Sequence, residues 1–149
     1  MMQLNRDFSE FVASCNRHGV RYLVVGGYAL AAHGHPRATK DFDVWVWIGA
    51  DNPSRVTAAL EEFGFGDVGL TASDFSAAGK MIQLGYSPIR IDILTSIDGV
   101  EFEDAYESRV TMRLDDQDVP FIGRNALIQN KRASGRLQDL ADVEFLEGT

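Results

Sequence analysis

Three aspartates carry the chemistry that this sequence could perform. Asp41 and Asp43 stand two positions apart at the head of the apolar run "DFDVWVWI" (41–48). A β-strand repeats every two residues, so both carboxylates point to one face with their Cα atoms ~7 Å apart. Two buried carboxylates repel, and one ordinarily stays protonated. A divalent cation removes the conflict, because hard cations such as magnesium take oxygen ligands. A solvated strand end with two surface charges is the bland alternative, and for a bare D-x-D it is the commoner one. Asp92 shifts that balance. It lies in "IRIDIL" (89–94), where Ile89, Ile91 and Ile93 take one face and Arg90, Asp92 and Leu94 the other. An aspartate within so apolar a strand needs a partner, a metal or a place at the sheet's end. If the two strands are neighbours, the three carboxylates meet. Such a triad can hold two metal ions ~3.5–4 Å apart, as in in-line phosphoryl transfer.

Other residues offer weaker signals. Gly26 and Gly27 lie between the apolar "YLVV" (22–25) and "YALAAHG" (28–34). Glycine admits close backbone approach, and a helix N-terminus presents N–H groups to anions, so the turn could seat a triphosphate. It matches neither the Walker pattern nor the dinucleotide fingerprint, and a plain strand-to-helix turn explains it as well. His33 and His35 suit loop hydrogen bonds better than metal ligation, and His18 suits a helix C-terminus. Trp45 and Trp47 share strand parity with the aspartates. Burial in the core is favoured over stacking on a base. Cys15 fits a small buried apolar site. Asp139 and Asp142 are expected to be solvated or paired with a tail arginine.

These groups need elements to position them. Apolar residues at Leu4, Phe8, Phe11, Val12 and Cys15 predict a helix over 3–18. Strands are expected at 22–25 and 41–48, with a short helix over 28–34 and a loop at 35–40. Residues 51–64 begin with a cap and a proline and stop at a glycine, a helix signature. Strands are expected at 79–85 and 88–95 around a turn, and a short helix over 99–109. Residues 110–114 and 119–122 flank "DDQD" in a hairpin. Helices follow at 123–134 and 136–147, broken near Gly135. Strands interleaved with helices imply an α/β or α+β domain with a mixed sheet.

Composition bounds the function. At 149 residues with 45% hydrophobic and 24% charged side chains, the chain fits one globular domain, residues 1–149. No apolar stretch approaches a membrane span, and the first residues lack an apolar signal core, so a cytoplasmic location is expected. One cysteine excludes an intrachain disulfide and a cysteine zinc cluster. A net charge of −8 opposes extended nucleic-acid binding. Two stretches nevertheless lack acidic residues. One holds Arg17, Arg21, Arg37 and Lys40, the other Arg124, Lys131, Arg132 and Arg136. Either could serve an anionic ligand, although solvated helix faces explain most such charges.

The glycine turn, the D-x-D strand and the later acidic strand together resemble the nucleotidyltransferase superfamily with the DNA polymerase β palm fold. The loop "HGHPRATKDFD" (33–43) and the tail "LIQNKRASGRLQDLADVEFL" (127–146) resemble small prokaryotic members grouped with AbiEii-type toxins. The resemblance implies an α+β nucleotidyltransferase fold, with helices packed on a mixed sheet and a helical C-terminal tail. It implies two magnesium ions, or manganese, on Asp41, Asp43 and Asp92. It further implies that Gly26, Gly27, Arg37, Thr39 and Lys131 contact the nucleotide. The expected reaction moves a nucleoside monophosphate from an NTP to a hydroxyl, releasing pyrophosphate. The acceptor would be a protein, a tRNA or other RNA end, or a small molecule. Larger relatives carry an acceptor-binding domain after the tail, and this sequence shows no evident acceptor-recognition module. The alternative is a non-catalytic or regulatory component of a toxin–antitoxin pair, bound to a partner protein. A metal-dependent phosphohydrolase is a third, weaker reading.

Overall fold

The computed structural model describes residues 4–35, 41–86 and 89–148. The chain opens with helix α1 (Arg6–Arg17), whose N-terminus is capped by Asn5, the side chain accepting from the Asp7 N–H at 2.8 Å. Strand β1 (Tyr22–Val25) passes directly into helix α2 (Gly26–Ala32), and strand β2 (Asp41–Val46) follows. After helix α3 (Asn52–Leu60) come strands β3 (Met81–Tyr86) and β4 (Ile89–Leu94). Helix α4 (Phe102–Glu107), strands β5 (Val110–Leu114) and β6 (Gln117–Phe121), and helices α5 (Arg124–Ser134) and α6 (Leu137–Glu147) complete the order.

The six strands form one mixed sheet in the order β3-β4-β2-β1-β6-β5. The pairs β2/β4 and β1/β6 are parallel; the others are antiparallel. The fold is therefore α+β with a mixed sheet, as the sequence implied. The even-numbered residues of β2 face α1, where Phe42 stacks on Phe8 at 4.9 Å and Tyr28 meets both rings edge-on. Ser14 on α1 donates to the Ala59 carbonyl at 2.7 Å, fastening α3 beside it. The odd-numbered face carries Asp41, Asp43 and Trp45. Trp45 is buried and meets Phe102 of α4 edge-on, with ring centroids 5.0 Å apart.

Several boundaries depart from expectation for local reasons. Helix α2 begins at Gly26, so both glycines belong to its first turn and not to a preceding turn. The 51–64 helix ends at Leu60 and gives way to a wider turn over Glu61–Phe65, where Gly64 takes φ +107. The second hairpin closes with two residues rather than four. Asp115 and Asp116 have φ of 49° and 63°, the backbone of a type I′ turn, and Leu114 pairs with Gln117. The α5–α6 break does fall at Gly135, whose φ of 68 is the left-handed end of a helix.

Candidate active site

Strand pairing brings the aspartates together. In the parallel register of β2 and β4, Asp43 lies opposite Asp92 and Asp41 opposite Arg90. Opposed residues in a sheet share a face, so all four side chains project from the same surface. Asp92 is buried, while Asp41 and Asp43 are partly exposed. The parallel pairing supplies what alternation alone does not. It aligns two strands that a third of the sequence separates.

Among the described residues, Arg90 compensates these charges. Its guanidinium grips Asp92 with two bonds, Nε to Oδ1 at 3.0 Å and Nη2 to Oδ2 at 2.8 Å. The same Nη2 lies 3.2 Å from Asp41 Oδ2. The carboxylates in turn raise the Arg90 pKa, the hydrogen bond to Asp92 contributing most. Asp43 is compensated less well. Burial raises its pKa first, and the charges of Asp92 and Asp41 raise it further. Arg90 opposes the shift, and a hydrogen bond to Asp92 favours the protonated form; the outcome is about 7.

The backbone of α2 closes the other side. Gly26 has φ +69, and a Cβ there would lie 2.2 Å from Asp43 Oδ2. Glycine is required twice over, by the left-handed backbone and by the carboxylate against it. Val25 pairs with Asp43 across β1/β2, which holds the start of α2 at this spot.

Asp41, Asp43 and Asp92 lie on one sheet face, and Arg90 stands between Asp41 and Asp92. Oxygen donors of this kind suit a hard divalent cation, but no three His, Cys, Asp or Glu side chains among the described residues are arranged to hold one.

The remaining candidates are dispersed. Arg37 and Thr39 lie outside the described residues. Lys131 is buried between α5 and α6, with its Nζ 3.4 Å from Asp139 Oδ1 and 3.1 Å from Asp142 Oδ2. Arg136 adds a 2.7 Å contact to Asp139. Both tail aspartates are thus buried and paired, not solvated. Asp139 keeps a lowered pKa despite burial, because Arg136 and Lys131 outweigh the desolvation. His33 Nε2 lies 2.8 Å from the Ile122 carbonyl, and the His35 ring packs on Phe145 at 4.0 Å. Arg90 was missed by sequence reasoning, although its parity with Asp92 was a usable signal.

No family model and no curated protein matches the chain. Solved structures do. A candidate nucleotidyltransferase of Thermotoga maritima superposes with a TM-score of 0.60 at 14% identity, covering 98% of this chain and 94% of that one. This is the nucleotidyltransferase fold. A lincosamide antibiotic adenylyltransferase with lincomycin bound gives 0.57 at 14% identity, covering 97% of each chain. The structure of ANT(2")-Ia with adenylyl-2"-tobramycin gives 0.53 at 11%, covering 93% and 84%. At these identities the likeness concerns the fold.

Proposed function

We propose that the chain is a nucleotidyltransferase that moves a nucleoside monophosphate from an NTP to a hydroxyl of a small-molecule acceptor. The observation that carries this reading is the placement of Asp41, Asp43 and Asp92 on one sheet face beside the start of α2. Asp41, Asp43 and Asp92 would hold magnesium or manganese, which when bound neutralises phosphate charge and polarises the reacting phosphorus. Gly26 and Gly27, at the start of α2, are proposed triphosphate contacts on the strength of the family resemblance. Asp92, completing the set, would help activate the attacking hydroxyl, as the family resemblance implies. Arg37, Thr39 and Lys131 remain proposed nucleotide contacts on the strength of the family resemblance. Lys131 would have to loosen its pairs with Asp139 and Asp142 to serve.

A small acceptor is favoured over a polymer for two reasons. The net charge of −8 works against a long polyanion. Two structural neighbours are adenylyltransferases whose structures hold lincomycin and adenylyl-tobramycin. A cavity of about 320 Å³ opens beside Trp45, Trp47, Thr95, Glu101 and Phe102, two positions along β2 from Asp43. Its aromatic and acidic lining suits a hydroxylated, cationic molecule.

The test is incubation with each labelled NTP, magnesium and a panel of hydroxylated small molecules, proteins and RNA ends. Labelled product and pyrophosphate are expected with the small-molecule panel, lost in Asp43→Ala and Asp92→Ala. Pyrophosphate without labelled product would instead indicate a hydrolase. The bridging Arg90 is the observation that favours a non-catalytic chain on the same fold. Absence of transfer, with a partner protein retained by Asp41→Ala, would establish that alternative.

A further inference from the structure

We propose that the outer edge of β3 is a dimer interface, on which a second copy of the chain pairs its own β3 antiparallel. β3 stands last in the sheet order, so one side of it is unpaired within the chain. The Lys80 carbonyl accepts from the Thr95 N–H at 3.0 Å and so points toward β4. Backbone groups alternate along a strand, which turns those of Met81, Gln83 and Gly85 outward. Soluble proteins ordinarily guard such an edge with charge, proline or a covering element. The opposite edge strand, β5, carries Arg113, whose side chain is 64% exposed. β3 carries neither charge nor proline, and the chain has no charged residue from Met81 to Ile89. Met81 and Tyr86 are nevertheless 57% and 86% exposed.

This edge is complementary to itself. An antiparallel pair centred on Gln83 sets it opposite the partner's Gln83, and these two outward-facing residues exchange both N–H···O=C bonds. In that register Ile82 meets the partner's Leu84, exposed Met81 meets the partner's Gly85, and Lys80 meets the partner's Tyr86. Apolar opposes apolar, a long side chain opposes none, and a cation lies against an aromatic ring. Ile82 and Leu84 pair with Ile93 and Ile91, which places them on the same sheet face as Phe42. A groove of about 520 Å³ lies there, lined by Phe65, Val68, Leu70, Ile82, Leu84 and Tyr86, with no charge in its lining among the described residues. The two-fold axis stands perpendicular to the sheet, so the grooves of the two copies join across the edge. An uncharged surface gives an oppositely charged partner no hold, whereas two copies of net charge −8 meet here without like charges in contact. The aspartate faces of both copies then open to the same side, their β4 strands three strand spacings apart, ~14 Å.

Analytical ultracentrifugation of the full chain over a concentration series tests this. The wild type should sediment as a dimer of the 16.5 kDa chain. Q83K and Q83E each set like charges directly opposite at the axis and should weaken the dimer about fivefold or more. An equimolar mixture of the two should restore association, since opposite charges then meet. Q83P should abolish it, because the lost N–H faces outward and the pairing with β4 does not use it. V110K, on the β5 edge, should leave the dimer unchanged. Circular dichroism identifies the folded variants; if Q83P does not fold, Q83K and the mixture decide. A wild type that stays monomeric throughout the series overturns the proposal and leaves this edge to another occupant. A dimer that persists unweakened in folded Q83K or Q83P overturns it too, by placing the interface elsewhere. Weakening in both charged variants without recovery in their mixture overturns the register centred on Gln83.

Discussion

Asp43→Asn isolates the electrostatic cost of the site. The substitution keeps shape and hydrogen-bonding capacity and removes one charge. The folded-state pKa of Asp43 is about 7, against an ordinary value of 3.8. The folded chain therefore holds this proton more tightly than the unfolded chain does. Stability from this group is fully present below about pH 4 and is lost as pH rises toward 7. The whole shift corresponds to ~4 kcal/mol for a carboxyl sealed from water. Solvent reaches the partly exposed side chain and screens part of it, leaving about 2 kcal/mol. Urea denaturation in the presence of a chelator, at pH 5 and pH 8, measures it. Part of that is already lost by pH 5, so wild-type stability should fall between those pH values by about 1 kcal/mol more than that of Asp43→Asn. The variant should be the more stable protein at pH 8. Parallel pH profiles for the two proteins would refute the argument that burial and like charges strain this carboxylate.

Other substitutions probe the elements around the site. Gly26→Ala and Gly34→Ala both place a side chain at positive φ, but only Gly26 has a carboxylate oxygen where the Cβ would go. Thermal melts should show each losing about 1 kcal/mol for the backbone, with Gly26→Ala losing measurably more. Lys131→Ala leaves Asp139 and Asp142 buried with less compensation and should cost about 3 kcal/mol in urea denaturation. Adding Asp142→Asn should recover part of that loss. Asp116→Gly, at φ 63 in the β5–β6 turn, should stabilise the fold by about 0.5 kcal/mol in the same assay.

How far the sequence foretold the structure depends on the range of each signal. Alternation along single strands placed Asp41 with Asp43, and Asp92 with Arg90, correctly by face. Those are properties of two residues on one strand. That Arg90 would reach Asp41 required the β2/β4 register, which no local pattern encodes. The fate of Lys131 was hidden for the same reason. Asp139 and Asp142 lie beyond Gly135, and only the reversal there folds them onto the lysine. The start of α2 was placed late because glycine disfavours helix interiors. Gly26 opens the helix at φ +69, a left-handed backbone that glycine adopts without strain.

The parallel pairing of β2 with β4 has a further consequence for how the protein comes into being. Every other neighbouring strand in the β3-β4-β2-β1 half of the sheet is joined to its partner antiparallel, by a connection that can close early. Asp43 and Asp92 meet only when β4 crosses to lie beside β2, a long loop closure that pays its entropy before it gains contacts. Any ligand that needs both side chains at once would therefore favour the finished sheet, acting on the folding equilibrium by mass action on the native state.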